Sequence, residues 1–284
     1  MQQRPAIFAA QGWYPADPGQ CLERVEFFLR SAATEEPASM LGGIVPHAGW
    51  SYSGQTAART FGALAGLQPE LVLLFGGHLR PRDTALCMTR GAFATPLGPL
   101  PVEESLAREL VATFPVDEEM PDHFAADNTI ELQLPFVRHL WPRARVLAVQ
   151  VPADESAAVL GRWLAERTAA LGLRTLAIGS TDLTHYGTSY GFTPQGVGDE
   201  AHAWSMREND GGFLERVLAL DGQGASEHAL AHHSACCPGA TAATLAFVNS
   251  RGGVRPRLVE HTTSHLVRNQ GSPQMWVGYA SVVF

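Results

Sequence analysis

Residues 71–78 read LVLLFGGH, five apolar residues followed by two glycines and a histidine. A similar segment, TLAIGSTD, occupies residues 175–182. Neither segment alternates apolar with polar residues, as a strand with one solvent-exposed face would, so we expect helices to cover both faces of each strand. The two segments therefore predict an α/β fold, a three-layer α/β/α sandwich with a mostly parallel central sheet.

Short apolar runs elsewhere in the chain alternate with longer stretches of helical period, which indicates strands joined by crossover helices. Strands are predicted at 41–45, 71–75, 146–151, 175–178 and 276–283, and helices at 20–32, 55–64, 102–113, 130–140, 155–171, 199–209, 211–220 and 239–249. Residues 89–101, TRGAFATPLGPLP, predict a small hairpin that its prolines would confine to a sheet edge. Glycine and proline do not collect into one linker, so we expect a single domain over residues 1–284.

The composition excludes several classes of function. All 20 basic residues are arginine, and the absence of lysine rules out Schiff-base chemistry and a phosphate-loop lysine. A net charge of −8 lacks the basic excess that nucleic-acid binding requires. The chain also lacks the sequence signatures of dinucleotide-binding folds, α/β-hydrolases and zincins.

The four cysteines, at 21, 87, 236 and 237, show no CxxC spacing, which suits a reducing compartment. The first residues, MQQRPAIFAAQGWYP, do not resemble a signal peptide, and the sequence contains no apolar run of 18 residues. We therefore predict a cytoplasmic protein with no membrane or nucleic-acid partner. The sequence leaves the formation of a homo-oligomer open.

Polar side chains follow the ends of three predicted strands. His47 follows GGIV, His78 follows LLFGG, and Asp182 and His185 follow LAIGS. Ligands of open α/β sheets bind at the carboxyl ends of the strands, so we expect these side chains to converge on one crevice. For His47 and His78, a hydrogen bond to a loop carbonyl is the alternative role.

The segment STDLTHYG, residues 180–187, places a carboxylate three residues before an imidazole. Asp182 either orients His185 or enters the crevice separately, and the alternative is that Asp182 caps a short helical turn. Histidine suits general acid–base catalysis because its pKa lies near neutrality.

Further candidates lie in three other segments. Cys236 and Cys237 precede a predicted helix whose N-terminus would favour a thiolate, although burial as small apolar residues is the alternative. Glu131 either faces the crevice or supports the first turn of its helix. Trp50 and Tyr52, in PHAGWSYSG at 46–54, either line the crevice or pack inside the protein.

Eight blocks in order resemble the Memo family, also known as AmmeMemoRadiSam system protein B, which is similar in fold to class III extradiol ring-cleavage dioxygenases. PHAGWSYSG and TDLTHYG are the most specific of the matching segments. The blocks read AAQGWYPAD, VPHAGWSYSGQTAA, LLFGGH, ATPLGPLPVE, NTIELQLPFV, STDLTHYG, ACCPGATAA and VGYASVVF.

The resemblance implies a metal site formed by His47, His78 and Cys236, with His185 and Asp182 beside it as the catalytic pair. Cys236 is preferred to its neighbour because the family pattern reads Ala-Cys-Gly, and Cys237 stands in place of that glycine. A second departure is Asp127-Asn128-Thr129, where the family reads Glu-His-Ser.

Two imidazoles and one anionic ligand leave open coordination positions, as in non-haem Fe(II) oxygenases. The resemblance therefore implies an Fe(II)-dependent oxidoreductase, dioxygenase-like, acting on a small-molecule substrate with O₂; copper or zinc is the alternative because thiolate is a soft ligand. The alternative function is a non-catalytic or redox-linked metal-binding protein whose crevice binds a peptide or protein partner. We expect Trp50, Tyr52 and Glu131 to contact the substrate, and Arg80 or Arg82 to hold any carboxylate it carries.

Overall fold

The computed structural model describes residues 1–32, 40–252, 255–268 and 271–284. Its strands are β1 (Gln3–Arg4), β2 (Gly42–Val45), β3 (Leu71–Gly76), β4 (Ala85–Met88), β5 (Ala92–Phe93), β6 (Leu100–Pro101), β7 (Val116–Glu119), β8 (Arg145–Gln150), β9 (Thr175–Ser180), β10 (His185–Tyr186), β11 (Arg257–Thr263) and β12 (Trp276–Val283). Its α-helices are α1 (Ile7–Ala10), α2 (Pro18–Arg30), α3 (Trp50–Leu64), α4 (Glu104–Thr113), α5 (Asn128–Glu131), α6 (Leu134–Leu140), α7 (Glu155–Ala170), α8 (Asp199–Trp204), α9 (Gly211–Leu218), α10 (Gly222–His232), α11 (Pro238–Arg251) and α12 (Ser264–Arg268).

The large sheet has the strand order β10-β12-β2-β9-β3-β8-β4-β7, with β11 added to β12. Its centre, β2-β9-β3-β8, is parallel throughout. Antiparallel pairs join this centre to its two flanks, β12 beside β2 and β4 beside β8. The sheet is therefore mostly parallel where it is most deeply buried, as the uninterrupted apolar runs predict.

Helices cover both faces of the sheet. Successive residues of a strand point to opposite faces. A side chain at Gly43 would meet the Thr60 methyl group of α3 at 2.5 Å, whereas one at Gly179 would meet the Thr244 hydroxyl of α11 and the end of Ile44. Helix α2 packs outside α3 and α7 outside α11. The predicted α/β sandwich is confirmed as a mixed α/β fold with a mostly parallel sheet.

Several predicted boundaries change in the structure. Strand 276–283 is confirmed, and the hairpin at 89–101 is present as β5 and β6, with β6 at the edge of a small sheet completed by β1. The helix predicted at 130–140 is two helices, and Pro135, which has no backbone N–H to donate, lies in the first turn of the second. The helix predicted to begin at 55 begins at Trp50, whose indole is buried.

Eight elements were not predicted from the sequence: β1, β4, β7, β10, β11, α1, α10 and α12. Strand β11 is mostly half-exposed, so its apolar residues form no continuous run. Helix α10 reads GQGASEHALAH, in which glycine and histidine weaken both the helical propensity and the apolar period. In the ranges that the structure describes, no helix has the length and apolar character needed to cross a bilayer.

The parallel strands bring three loops to one edge of the sheet. His47, His78 and Asp182 each lie two residues beyond the end of their strand, β2, β3 and β9 respectively. These strands are neighbours in the order β2-β9-β3, so the side chains leave the sheet side by side. Gly77 turns the chain before His78 with a φ of 94°, a conformation that favours glycine.

Candidate metal centre

Four potential metal ligands meet at this edge of the sheet. One donor atom from each of His47, His78, Cys236 and Cys237 lies within 4.8 Å of all the others. His47 Nε2 lies 3.2 Å from Cys236 Sγ, and the His47 and His78 rings are 5.0 Å apart, edge to face. His47 is 2% exposed, whereas His78 is exposed to solvent. The arrangement gives a buried imidazole, a thiol and an accessible imidazole around one point.

Asp182 connects the two histidines that flank this point. Its Oδ1 accepts the backbone N–H of His47 at 2.7 Å, and its Oδ2 lies 4.0 Å from His47 Nε2 and 3.9 Å from His185 Nε2. Asp182 caps no helix in the described part of the chain, which excludes that alternative. His185 Nε2 is shielded from solvent and has no hydrogen-bond partner among the described residues. His185 is therefore an imidazole with an unused donor or acceptor.

Polar side chains fix the orientation of the His47 ring. Its Nδ1 lies 3.1 Å from the Ser180 hydroxyl, so Nε2 is the nitrogen turned toward Cys236. Gln133 donates to the carbonyl of Pro46 at 3.0 Å and to Ser180 at 3.3 Å. Asn128, at the position of the family histidine, donates to the His47 carbonyl at 3.1 Å. In this chain the amide therefore supports the loop that carries His47.

The electrostatics of the cluster favour an imidazolium–thiolate pair. Burial acts to lower the pKa of His47, but Asp182 and Cys236 outweigh it and raise that pKa to about 9. Burial alone would raise the pKa of Cys236, yet hydrogen bonding to Cys237 and the charge of His47 hold it well below the ordinary thiol value. Burial raises the pKa of Asp182. These shifts favour the thiolate form of Cys236, the form that binds metals.

Cys237 differs from Cys236 although the two are adjacent. Their sulfur atoms lie 3.6 Å apart, and burial together with the neighbouring thiolate raises the pKa of Cys237 well above its ordinary value. Its backbone N–H donates to the Thr181 hydroxyl at 3.0 Å. The shift favours the protonated thiol at Cys237, at the position where the resemblance implies a glycine.

Two cavities adjoin the cluster and share His78, His185 and Tyr190 in their walls. The larger, about 620 Å³, also contains His47, Asp182 and Tyr52. The smaller, about 390 Å³, contains Cys236 and Arg80. The structure thus places Tyr52 and Arg80 beside the cluster, on different sides of it; Arg82 is not part of either wall.

Trp50 and Glu131 lie away from both cavities. Trp50 is 4% exposed and packs among Tyr14, Phe28 and Phe136, with its indole N–H donating to a backbone carbonyl. Glu131 accepts hydrogen bonds from the backbone N–H groups of residues 7, 8 and 9 and from the Tyr14 hydroxyl. Burial raises the pKa of Glu131 despite these donors. Both side chains hold the protein's interior and N-terminal segment together.

Replacing Glu131 with alanine is expected to lower the free energy of unfolding by about 3 kcal/mol, because four donors lose their buried acceptor. Glu131→Gln keeps the oxygen that accepts three of these bonds, so its loss should be smaller. Urea denaturation measures both. Wild-type stability in Glu131→Ala combined with weaker substrate binding would instead support the substrate contact expected from the sequence.

Sequence reasoning did not single out several residues of the site. Ser180 lies within the STDLTHYG segment, but the sequence gives no sign that its hydroxyl faces His47. Tyr190 and Arg268 line the larger cavity and come from segments that carry no motif. Their proximity depends on how the loops after β10 and β11 fold back over the sheet, which local sequence does not specify.

Comparison with known proteins places the whole chain in one family. Residues 4–283 match the sequence model described as Memo-like protein. The chain is 31% identical over 293 residues to the MEMO1 family protein TK1477 of Thermococcus kodakarensis, covering 100% of this chain and 99% of the relative. The same identity and coverage hold over 299 residues for the MEMO1 family protein MK0963 of Methanopyrus kandleri.

The fold also occurs in a solved structure. The uncharacterized protein JW3007 from Escherichia coli K12 superposes with a TM-score of 0.52 at 15% identity, covering 80% of this chain and 92% of that protein. At this level of identity the likeness concerns the fold alone. Together with the match over residues 4–283 and the two relatives at 31% identity, the eight ordered sequence blocks establish that this chain belongs to the Memo family.

Proposed function

We propose that this protein is a metal-dependent oxidoreductase that uses non-haem Fe(II) to react a small organic substrate with O₂. The observation that carries the proposal is the meeting of His47, His78 and Cys236 beside His185, whose buried Nε2 has no partner among the described residues. The large majority of buried polar side-chain atoms are hydrogen-bonded, so a buried imidazole nitrogen without a partner favours a functional role. The proposal includes the functional kinship with class III extradiol dioxygenases that the sequence resemblance implies.

The donor set fits a transition metal. Donor atoms that share one metal at bonds of about 2.0–2.3 Å lie roughly 3–4.5 Å from one another, and the four candidates lie within 4.8 Å. His47 would bind through Nε2, since Ser180 occupies its other nitrogen. Iron is our first choice, and the soft thiolate of Cys236 makes copper or zinc the alternative.

A bound ferrous ion would supply open coordination positions at which substrate and O₂ meet. The protein's own residues contribute orientation and proton transfer. Burial acts to lower the pKa of His185, but interactions with Cys236 and Asp182 raise it above the ordinary value, which favours the protonated ring that a general acid requires. Having lost that proton, His185 can accept one from the substrate. Asp182 holds the backbone of His47 through Oδ1, and its Oδ2 lies 3.9 Å from His185 Nε2, where its charge attracts the protonated ring.

The test is metal analysis combined with oxygen uptake on protein purified anaerobically without added metal. We expect about one iron per chain, and O₂ consumption with at least one member of a panel of small organic substrates. Absence of a stoichiometric transition metal would refute the proposal. Stoichiometric zinc without oxygen uptake would refute the oxidoreductase assignment while leaving a metal-binding protein.

A second candidate function is a metal-binding protein that receives a peptide or protein partner. The aromatic side chains at the larger cavity favour it, since Trp13, Tyr52 and Tyr190 are 37%, 40% and 43% exposed, and exposed aromatic residues are frequent at protein interfaces. Peptide binding that survives removal of the metal, without oxygen uptake, would support this candidate over the enzyme.

A further inference from the structure

One arginine lines the larger cavity among the residues that the structure describes. Because the chain has no lysine, any permanent positive charge in its cavities comes from arginine. Among the described residues that line this cavity, Arg268 is the one arginine, and Asp182, buried beneath the cluster, is the one carboxylate. No carboxylate in the described ranges lies within 4.0 Å of the Arg268 guanidinium. Its charge is therefore not neutralised by a neighbouring side chain there.

The guanidinium of Arg268 is held in place before any ligand arrives. Its Cζ lies 4.5 Å from the centroid of the Tyr52 ring, and Nη2 lies 3.5 Å from the Ser51 hydroxyl. Stacking on an aromatic face limits the motion of a long side chain, which reduces the entropy lost when a ligand binds. Stacking uses the face of the guanidinium. It therefore does not occupy the N–H groups along the planar edges.

Arg80, on the smaller cavity, lacks a comparable support. Its backbone N–H donates to Asp83 at 2.7 Å, but its side chain has neither an aromatic nor a carboxylate partner among the described residues. The cavity of Arg80 is also smaller, and His47 and Asp182 line the other one. Arg268 is therefore the better placed of the two arginines.

The remaining walls of the larger cavity suit an apolar body. Trp13, Tyr52 and Tyr190 present exposed rings, and Met275 is 50% exposed. Rings and a thioether pack well against a flat apolar group. One unneutralised positive charge matches a ligand with one negative charge, which favours a carboxylate over a dianionic phosphate.

We propose that Arg268 binds the carboxylate of the substrate, and that the substrate class is small organic monocarboxylates with a flat apolar body. That the bound carboxylate is a substrate rests on the proposed function, but its binding to Arg268 does not depend on a metal. A guanidinium and a carboxylate form two parallel charge-assisted hydrogen bonds, which the uncharged amide of the same shape cannot reproduce.

Benzoate and benzamide are the matched probes, titrated into the protein as purified and followed by calorimetry or NMR. We expect benzoate to bind about tenfold more tightly than benzamide. Arg268→Gln should abolish the preference without loss of folding, since the side chain is exposed. Arg268→Lys should retain part of it, and Arg30→Gln, at an exposed arginine of α2, should retain all of it.

Three results would overturn the inference: equal binding of the two probes to the wild type, a preference that survives Arg268→Gln, or a preference lost in Arg80→Gln instead. Metal content and oxygen uptake are measured on the same preparations. A preference that depends on Arg268 in protein without metal or oxygen uptake would support the carboxylate site and refute the proposed oxidoreductase. Failure of the carboxylate site alone would leave the metal centre unaffected.

Discussion

His47→Ala is expected to reduce the metal content of the purified protein from about one atom per chain to a small fraction of that value. The imidazole is the most buried of the proposed ligands, and its Nε2 lies 3.2 Å from the Cys236 sulfur. Its removal leaves one exposed imidazole, His78, with the sulfur of Cys236. We expect the affinity for the metal to fall at least about 100-fold, because mutating a residue that only supports a ligand already lowers metal affinity by about 10–100-fold. Elemental analysis and competition with a chelator measure the effect.

The matched control is His123→Ala, which removes an exposed histidine that is not part of the cluster. Its metal content should equal that of the wild type. Circular dichroism and urea denaturation of His47→Ala separate loss of the ligand from loss of the fold, since Ser180 and Asp182 also lose a buried neighbour. Unchanged metal in a folded His47→Ala protein would contradict the proposed ligand set.

His185→Gln is expected to lower the rate of substrate-dependent oxygen uptake by about 10²–10⁴-fold, the range attributed to a positioned general acid or base. Glutamine keeps a polar side chain of similar length but does not titrate. The metal content should remain near that of the wild type, because His185 does not belong to the group of four mutually close donors. Oxygen uptake and elemental analysis on the same preparation measure both effects.

Two outcomes would contradict this role. Oxygen uptake at the wild-type rate would show that His185 transfers no proton in the rate-limiting step. A parallel loss of metal would show that His185 acts as a ligand, which its unpartnered Nε2 near Asp182 permits chemically. His123→Gln is the control and should retain full uptake.

The centre of the fold and most of the cluster could be predicted because local sequence specifies them. The apolar runs of β3 and β9 require helices on both faces, and parallel strands bring the residues that follow them to one edge. His47, His78 and Asp182 therefore converge for reasons visible in the sequence. Selecting Cys236 required the family pattern, since the thiol comes from a loop more than fifty residues beyond β9.

The roles of Trp50, Glu131 and Arg268 could not be predicted, because each depends on a distant partner. Glu131 meets the backbone of residues 7–9, more than 120 positions away. Arg268 meets Tyr52 across more than 200 positions. A motif identifies the chemical type of a side chain, but which of two faces it presents to a cavity is decided by long-range packing.

The single carboxylate of Asp182 has a consequence for how this site can diversify. One oxygen holds the backbone that carries His47, and the other lies almost equally far from two imidazoles. A change at this position would alter metal loading and proton transfer together, so mutations at Asp182 and its two histidines should be strongly non-additive. Tyr52 and Arg268 support neither the loop that carries His47 nor the loop that carries His185. New specificities are therefore most accessible by evolution in the cavity wall, while the centre stays fixed.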